Sequence, residues 1–166
     1  LAEVDINPGV EEAMPFSEAL EFRRVADLLG GDRTLSRSPN GPMEAHQLLV
    51  EGLPGEALTH LVGNLTVLQR TASREKAVGM SLRTFQRRKG APTKPLSSEQ
   101  SGRTWKFAEI LAKATALFGS QQESEHWLDS PAMGLDQKRP IDLLATPAGV
   151  KLVETFLGRL EYGVYM

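Results

Sequence analysis

The sequence predicts an all-α fold, and three observations predict it. Apolar residues recur at spacings of three and four through most of the chain, the period of one face of a helix. Several of the segments that carry this pattern open at Ser, Thr or Pro or close at Gly, the punctuation of helix ends. No segment alternates apolar and polar residues as a half-buried strand does.

Residues 1–14 are acidic and without period, so no element is predicted there. "PFSEALEFRRVADLLGG" (15–31) reads as a helix with Ser17 as N-cap and Leu20, Val25, Leu28 and Leu29 on one face. Gly30-Gly31 ends it, and "GDRTLSRSPNGP" (31–42) is a turn-rich connector. "MEAHQLLVE" (43–51) is a short helix closed by Gly52. Pro54 suits the first turn of the next helix, "PGEALTHLVGNLTVL" (54–68), whose stripe is Leu58, Leu61, Val62 and Leu65. A short helix at about 73–78 and a second at about 82–89 flank the turn Gly79-Met80-Ser81. The two-proline stretch "APTKPLSS" (91–98) reads as a linker.

Beyond it, "SSEQSGRTWKFAEILAKATALFG" (97–119) is a long helix in which Ser97 and Gln100 have capping-box spacing. Its wide apolar face is Trp105, Ala108, Ile110, Leu111 and Leu117. "SQQESEHWLDSP" (120–131) and "PIDLLA" (140–145) follow as shorter helical pieces. "TPAGVKLVETFLGRL" (146–160) has Thr146 as N-cap, Pro147 at the first helical position, and Val150, Val153, Phe156, Leu157 and Leu160 along one face.

The charge is unevenly spread. Residues 1–69 carry 4 Lys/Arg against 11 Asp/Glu, residues 70–94 carry 8 against one, and residues 95–166 carry 7 against 9. The net charge of −2 hides a basic segment between acidic flanks. Within it, "AVGMSLRTFQRRK" (77–89) has the parts of a helix-turn-helix: a helix end, a glycine turn and a second, polar helix. Val78, Leu82 and Phe85 are spaced to pack inward. Ser81, Arg83, Thr84, Gln86, Arg87 and Arg88 are left outward, with Arg70, Arg74 and Lys89 adding charge. Arg pairs with guanine and Gln with adenine in the major groove, while Ser81, Thr84 and the helix N-terminus suit phosphates. Proteins of this kind usually read DNA as dimers, so a homodimer is expected.

Other chemistries find no footing. Cysteine is absent, which removes disulfides and thiolate chemistry and fits a reducing compartment. His46, His60 and His126 lie far apart without metal-ligand spacing, and each is read as structural. There is no nucleophile elbow, phosphate loop or paired-carboxylate signature. No catalytic residue, cofactor or metal is therefore expected, and the protein is not read as an enzyme. No apolar run approaches the roughly 20 residues of a membrane span, no basic-then-apolar leader opens the chain, and a cytoplasmic protein is expected. The first residue is Leu, so the native start is expected upstream.

The chain ends in "GRLEYGVYM" (158–166), with two aromatics and two aliphatics in its last five positions. Exposed chain ends are usually small and polar. Left to themselves, these residues would be expected to fold back on the protein's own helices.

Several spaced motifs in the C-terminal part resemble the Xre/MbcA/ParS antitoxins and their toxin-binding domain. They are Trp127-Leu128, the "P-x-D-L-L-x-T-x-x-G" run from Pro140 to Gly149, and the closing "R-L-E-Y-G-V-Y" from Arg159 to Tyr165. "S-L-R-T-F-Q-R-R" (81–88) is similar to the Xre-like helix-turn-helix of that family. The resemblance covers roughly residues 55–166 and departs at "GLDQKRP" (134–140), where many members have a glycine pair before the proline.

What the resemblance implies is an antitoxin that binds a RES-domain toxin, an enzyme that consumes NAD⁺. Its C-terminal end would block the toxin's active site, and the complex would repress its own operon by binding operator DNA. A homodimer within a larger toxin–antitoxin assembly is implied as well. The expected toxin contacts are Arg159, Glu161, Tyr162, Gly163, Val164, Tyr165 and Met166. Tyrosines offer rigid flat area with a polar tip, Gly163 permits a bend, and Glu161 or the terminal carboxylate can meet arginines that hold a phosphate. The expected organisation is an N-terminal helical or dimerisation region (1–53), a helix-turn-helix region (54–94) and a small helical toxin-binding domain (95–166). The alternative is a stand-alone helix-turn-helix regulator whose C-terminal helices only dimerise or sense a ligand.

Overall fold

A computed structural model describes residues 16–163. These form ten α-helices: α1 (Phe16–Leu28), α2 (Asp32–Leu35), α3 (Pro42–Glu51), α4 (Gly55–Gly63), α5 (Thr71–Val78), α6 (Leu82–Lys89), α7 (Ser98–Phe118), α8 (Gln121–Leu128), α9 (Pro140–Leu143) and α10 (Pro147–Glu161). Two 3-10 turns, Thr66–Leu68 and Met133–Leu135, complete the set. The described residues hold no strand, only two isolated bridges, Pro54 to Pro95 and Ala132 to Lys138. The fold is all-α, as the periodicity predicts.

The core is built around α7. Its N-terminus is fixed by a capping box: Ser97 Oγ accepts from Gln100 N at 3.1 Å, and Ser97 N donates to Gln100 Oε1 at 3.4 Å. Trp105, Phe107, Ala108, Ile110, Leu111, Ala112 and Ala114 are all buried along it. They point around most of the helix circumference, so α7 is covered by α1, α3, α5, α8 and α10. One hydrophobic cluster consequently runs from Val25 through Leu58, Leu68 and Leu111 to Leu157.

The sequence-predicted elements need several local corrections. The first helix begins at Phe16, so Ser17 lies inside its first turn and is not the N-cap. The connector 31–42 contains α2, which forms because Leu35 can be buried there. The helix predicted over 54–68 stops at Gly63. Asn64 Nδ2 donates to His60 O at 2.7 Å, and Gln69 Nε2 donates to Val62 O at 2.6 Å and Leu65 O at 3.1 Å. Those side-chain amides satisfy the carbonyls freed by the break, and the break turns Leu65, Val67 and Leu68 all inward.

The 91–98 stretch is no loose linker. Gly55 N donates to Lys94 O at 3.0 Å, Glu56 N to Pro92 O at 2.9 Å and Leu96 N to Leu53 O at 2.7 Å. The buried Ser101 Oγ accepts from Leu53 N at 2.9 Å. Start of α4, linker and start of α7 are thereby one hydrogen-bonded corner.

The "P-x-D-L-L-x-T-x-x-G" run folds into the α9–α10 junction. Pro140 and Pro147 each take a first helical position, and Thr146 Oγ1 caps α10 by accepting from Gly149 N at 3.0 Å. A Cβ at Gly149 would lie 1.8 Å from the Leu143 carbonyl oxygen, which no side chain can tolerate. Trp127 of the "WL" pair stacks on Phe156 of α10 at 5.8 Å between centroids and meets Phe118 at 5.2 Å. Asp136 and Gln137, in the loop that departs from the family's glycine pair, both adopt positive φ, 54° and 61°.

Two stability predictions follow from these contacts. Gly149→Ala should cost about 3 kcal/mol by forcing α9 and α10 apart, read from denaturant midpoints. Gln137→Gly should gain roughly 0.5–1 kcal/mol by relieving a left-handed side-chain position, raising the melting temperature by about 2 °C.

Candidate functional site

The helix-turn-helix is formed by α5, the turn 79–81 and α6. Gly79 ends α5 in the left-handed conformation at φ 70° and ψ 28°. It also lies against α7: a Cβ there would sit 2.1 Å from Arg103 Nη1. Arg103 Nη2 donates to Lys76 O at 2.9 Å and to Leu144 O at 3.4 Å, so one guanidinium closes the ends of both α5 and α9. Ser81 Oγ then caps α6, accepting from Thr84 N at 3.2 Å, and lies 3.1 Å from Thr84 Oγ1.

The inward positions differ from the sequence-predicted set. Val78 is buried and Phe85 half-buried, but Leu82 is 44% exposed. Met80, from the turn, is buried in its stead. With no fully buried residue of its own, α6 is held mainly through Phe85 and by packing across α4.

The nine residues assigned to DNA from sequence fall into distinct settings. Ser81, Arg83, Gln86, Arg87 and Lys89 are exposed. Arg83, Arg87 and Lys89 have no ion-pair partner among the described residues. Leu82, Arg83, Gln86 and Arg87 share one outer face of α6 by their spacing of four. Thr84 is half-buried beside its cap.

Arg74 is 4% exposed, its guanidinium 4.5 Å from the Phe85 ring centroid and donating to Leu68 O at 3.2 Å. Arg88 is half-buried and donates to Gln100 Oε1 at 3.2 Å. Arg70 pairs with Asp129. These last three arginines brace the fold.

Arg70 belongs to a chain of alternating charges that sequence reasoning missed. Asp129 bridges Arg70 to Arg139 Nη1, the latter at 2.9 Å. Arg139 holds Asp142 through two bonds, Nη2 to Oδ1 at 2.9 Å and Nε to Oδ2 at 3.0 Å. Asp142 Oδ1 also takes Lys76 Nζ at 2.9 Å. The hydrogen bonds from Arg139, and then those from Lys76, hold the Asp142 carboxyl below its ordinary pKa against the opposing effect of burial. The chain ties α5 to α9 and the end of α8, over sequence separations of 59 and 66 residues. The only sequence signal was the Asp142 of the "P-x-D-L-L" motif.

At the other end, α10 runs to Glu161 and is capped by Tyr162, which is 79% exposed. Gly163 follows at φ 64°. Arg159 is exposed, and Glu161 Oε2 lies 3.5 Å from Lys113 Nζ. The neighbourhood is acidic. Burial raises the Glu21 carboxyl pKa, Lys113 opposes, and Glu109, Glu161 and Glu18 add to the rise. Val164, Tyr165 and Met166 lie outside the described residues. The three histidines are exposed, and no cluster able to hold a metal occurs among the described residues. No described helix is long and apolar enough to cross a membrane.

Comparison with known families places both parts. Residues 113–163 match the antitoxin Xre/MbcA/ParS C-terminal toxin-binding domain. Residues 44–109 match the antitoxin Xre-like helix-turn-helix domain. Among curated proteins, the chain is similar to antitoxin Xre of Yersinia enterocolitica, 32% identical over 91 residues, which are 54% of this chain and 61% of that protein. It is also similar to antitoxin Xre of Pseudomonas putida, 29% identical over 122 residues, 72% of each. The matched stretch thus spans about three fifths of the Yersinia relative's length.

The charge chain gives a pH-dependent prediction. A carboxyl with a depressed folded-state pKa stabilises the protein above its unfolded value, about 3.9, and loses that effect as pH falls through the folded value. Asp142→Asn should therefore lower the chemical-denaturation midpoint at pH 7. The gap to the unaltered protein should close as pH drops below the ordinary carboxylate range.

Proposed function

This chain belongs to the Xre-type antitoxins, and from that premise we propose that it neutralises a cognate toxin with its C-terminal tail and represses its own operon through α5 and α6. The toxin in this reading is a RES-domain enzyme that degrades NAD⁺, as the sequence resemblance implies. The tail plugs the toxin's active site, a cleft built for flat rings. The working unit is a homodimer inside a larger toxin–antitoxin complex in the cytoplasm. Residues 54–94 read DNA and 95–166 hold the toxin.

The observation that carries the toxin half is Tyr162. A tyrosine at the end of a well-anchored helix, in the part matching a toxin-binding domain, has its ring in solvent. A ring left unburied by its own protein is available to another. On the DNA side, support comes from the outer face of α6, where Arg83, Gln86 and Arg87 stand exposed on a helix with no acidic residue. Arg83 and Arg87 are the cations best placed for base edges, and Lys89 and the Ser81 end of the helix for phosphates. Leu82, unexpectedly exposed, offers an apolar contact to a thymine methyl.

Co-expression with the product of the neighbouring gene tests the reading. Removing residues 162–166 should abolish inhibition of that protein's NAD⁺-degrading activity while operator binding, read by gel shift, stays within about twofold. A neighbouring product without such activity, or unaffected inhibition by the shortened chain, would refute the plug and leave a plain DNA-binding regulator. Conversely, Arg83→Ala with Arg87→Ala should weaken operator binding at least about tenfold and relax its base preference, with inhibition intact.

A further inference from the structure

A second surface on the C-terminal part is left open. Between α10 and the 3-10 turn Met133–Leu135 lies a groove of about 400 Å³ with an apolar floor of Leu135, Ala148, Leu152 and Phe156. Lys151 and Arg159 flank it, and neither has a hydrogen-bond or ion-pair partner among the described residues. Beside it Met133 is 84% exposed, and Leu152 within it is 56% exposed. Leu152 stands off the stripe that α10 turns inward, so folding of this chain does not account for it.

We propose that this groove is a docking surface for the toxin, receiving an apolar side chain of the toxin flanked by carboxylates. The inference rests on the antitoxin reading above and adds to the tail a site that holds rather than inhibits. Three arguments select this occupant. All of the groove lies within the stretch that matches a toxin-binding domain. Its two rim charges are both cationic and unpaired, which favours an acidic partner surface. Area decides the rest. Two tyrosines bring about 150–250 Å² each, while a stable interface takes roughly 800 Å² from each partner. The two rings supply at most about 500 Å² of that, so contacts beyond them are needed. Leu152 and Tyr162 lie on or at the end of the same helix, about 15 Å apart along its axis, so one partner can cover both.

The experiment uses the full chain and the co-expressed product of the neighbouring gene, with affinity and inhibition measured separately. Leu152→Asp and Met133→Asp alter exposed positions, and thermal melts establish that each variant is folded. Each should raise the dissociation constant at least tenfold, and a saturating amount of either variant should still inhibit. Removing 162–166 should do the reverse, abolishing inhibition and leaving most of the affinity. Unchanged affinity in both aspartate variants, with the unaltered chain binding well, overturns the groove and spares the antitoxin reading. If Leu152→Asp instead turns a dimer of the free chain into monomers, the groove joins two copies and the proposal is wrong. If the unaltered chain does not bind the neighbouring product, both readings fall together.

Discussion

The structure depends on the burial of α7 from several sides at once. A helix with Trp105, Phe107, Ile110 and Leu111 spread around it cannot satisfy them against one neighbour, so it gathers α1, α3, α5, α8 and α10 about itself. The helix-turn-helix and the tail-bearing helix are therefore packed on a common wall. Cutting the molecule between them would expose apolar surface on both pieces.

Polar contacts make that wall specific. Arg103 reaches from α7 to the last carbonyls of α5 and α9, where the helix dipole is negative, and only a glycine at 79 leaves room for it. The chain Arg70, Asp129, Arg139, Asp142, Lys76 fastens α5 to α9 as well. Two cations of the basic segment are thus committed to carboxylates of the C-terminal part. The positive field that reaches solvent is narrower than the charge count suggests and is concentrated on α6.

The two proposed activities then sit on opposite kinds of surface. On α6, charge is exposed because an eight-residue helix anchored by Phe85 has little of its own to bury. Around α10, apolar area is exposed although the helix has a well-packed inner face of Val153, Phe156 and Leu157. A cationic polar face suits a polyanion, and an apolar face with a cationic rim suits a protein.

Most helices were legible in the sequence because their causes are local. Ser97 with Gln100, Thr146 with Pro147, and Gly79 act within one helical turn, and their effect is written in consecutive residues. The break at Asn64 and the short α2 were not legible, because burial of Leu65, Leu68 and Leu35 by distant helices outweighed local preference. The same division holds for the sites. Sequence alone determined that a basic helix follows a glycine turn and that tyrosines stand at 162 and 165, after the last helical pattern. Only the tertiary structure decided that Arg74 and Arg88 are held against the protein's own helices and Arg70 is paired with Asp129, that Leu82 faces outward, and that Met133 and Leu152 flank an open groove. A side chain's charge is fixed by its identity, but whether it is free depends on partners dozens of residues away that only folding brings near.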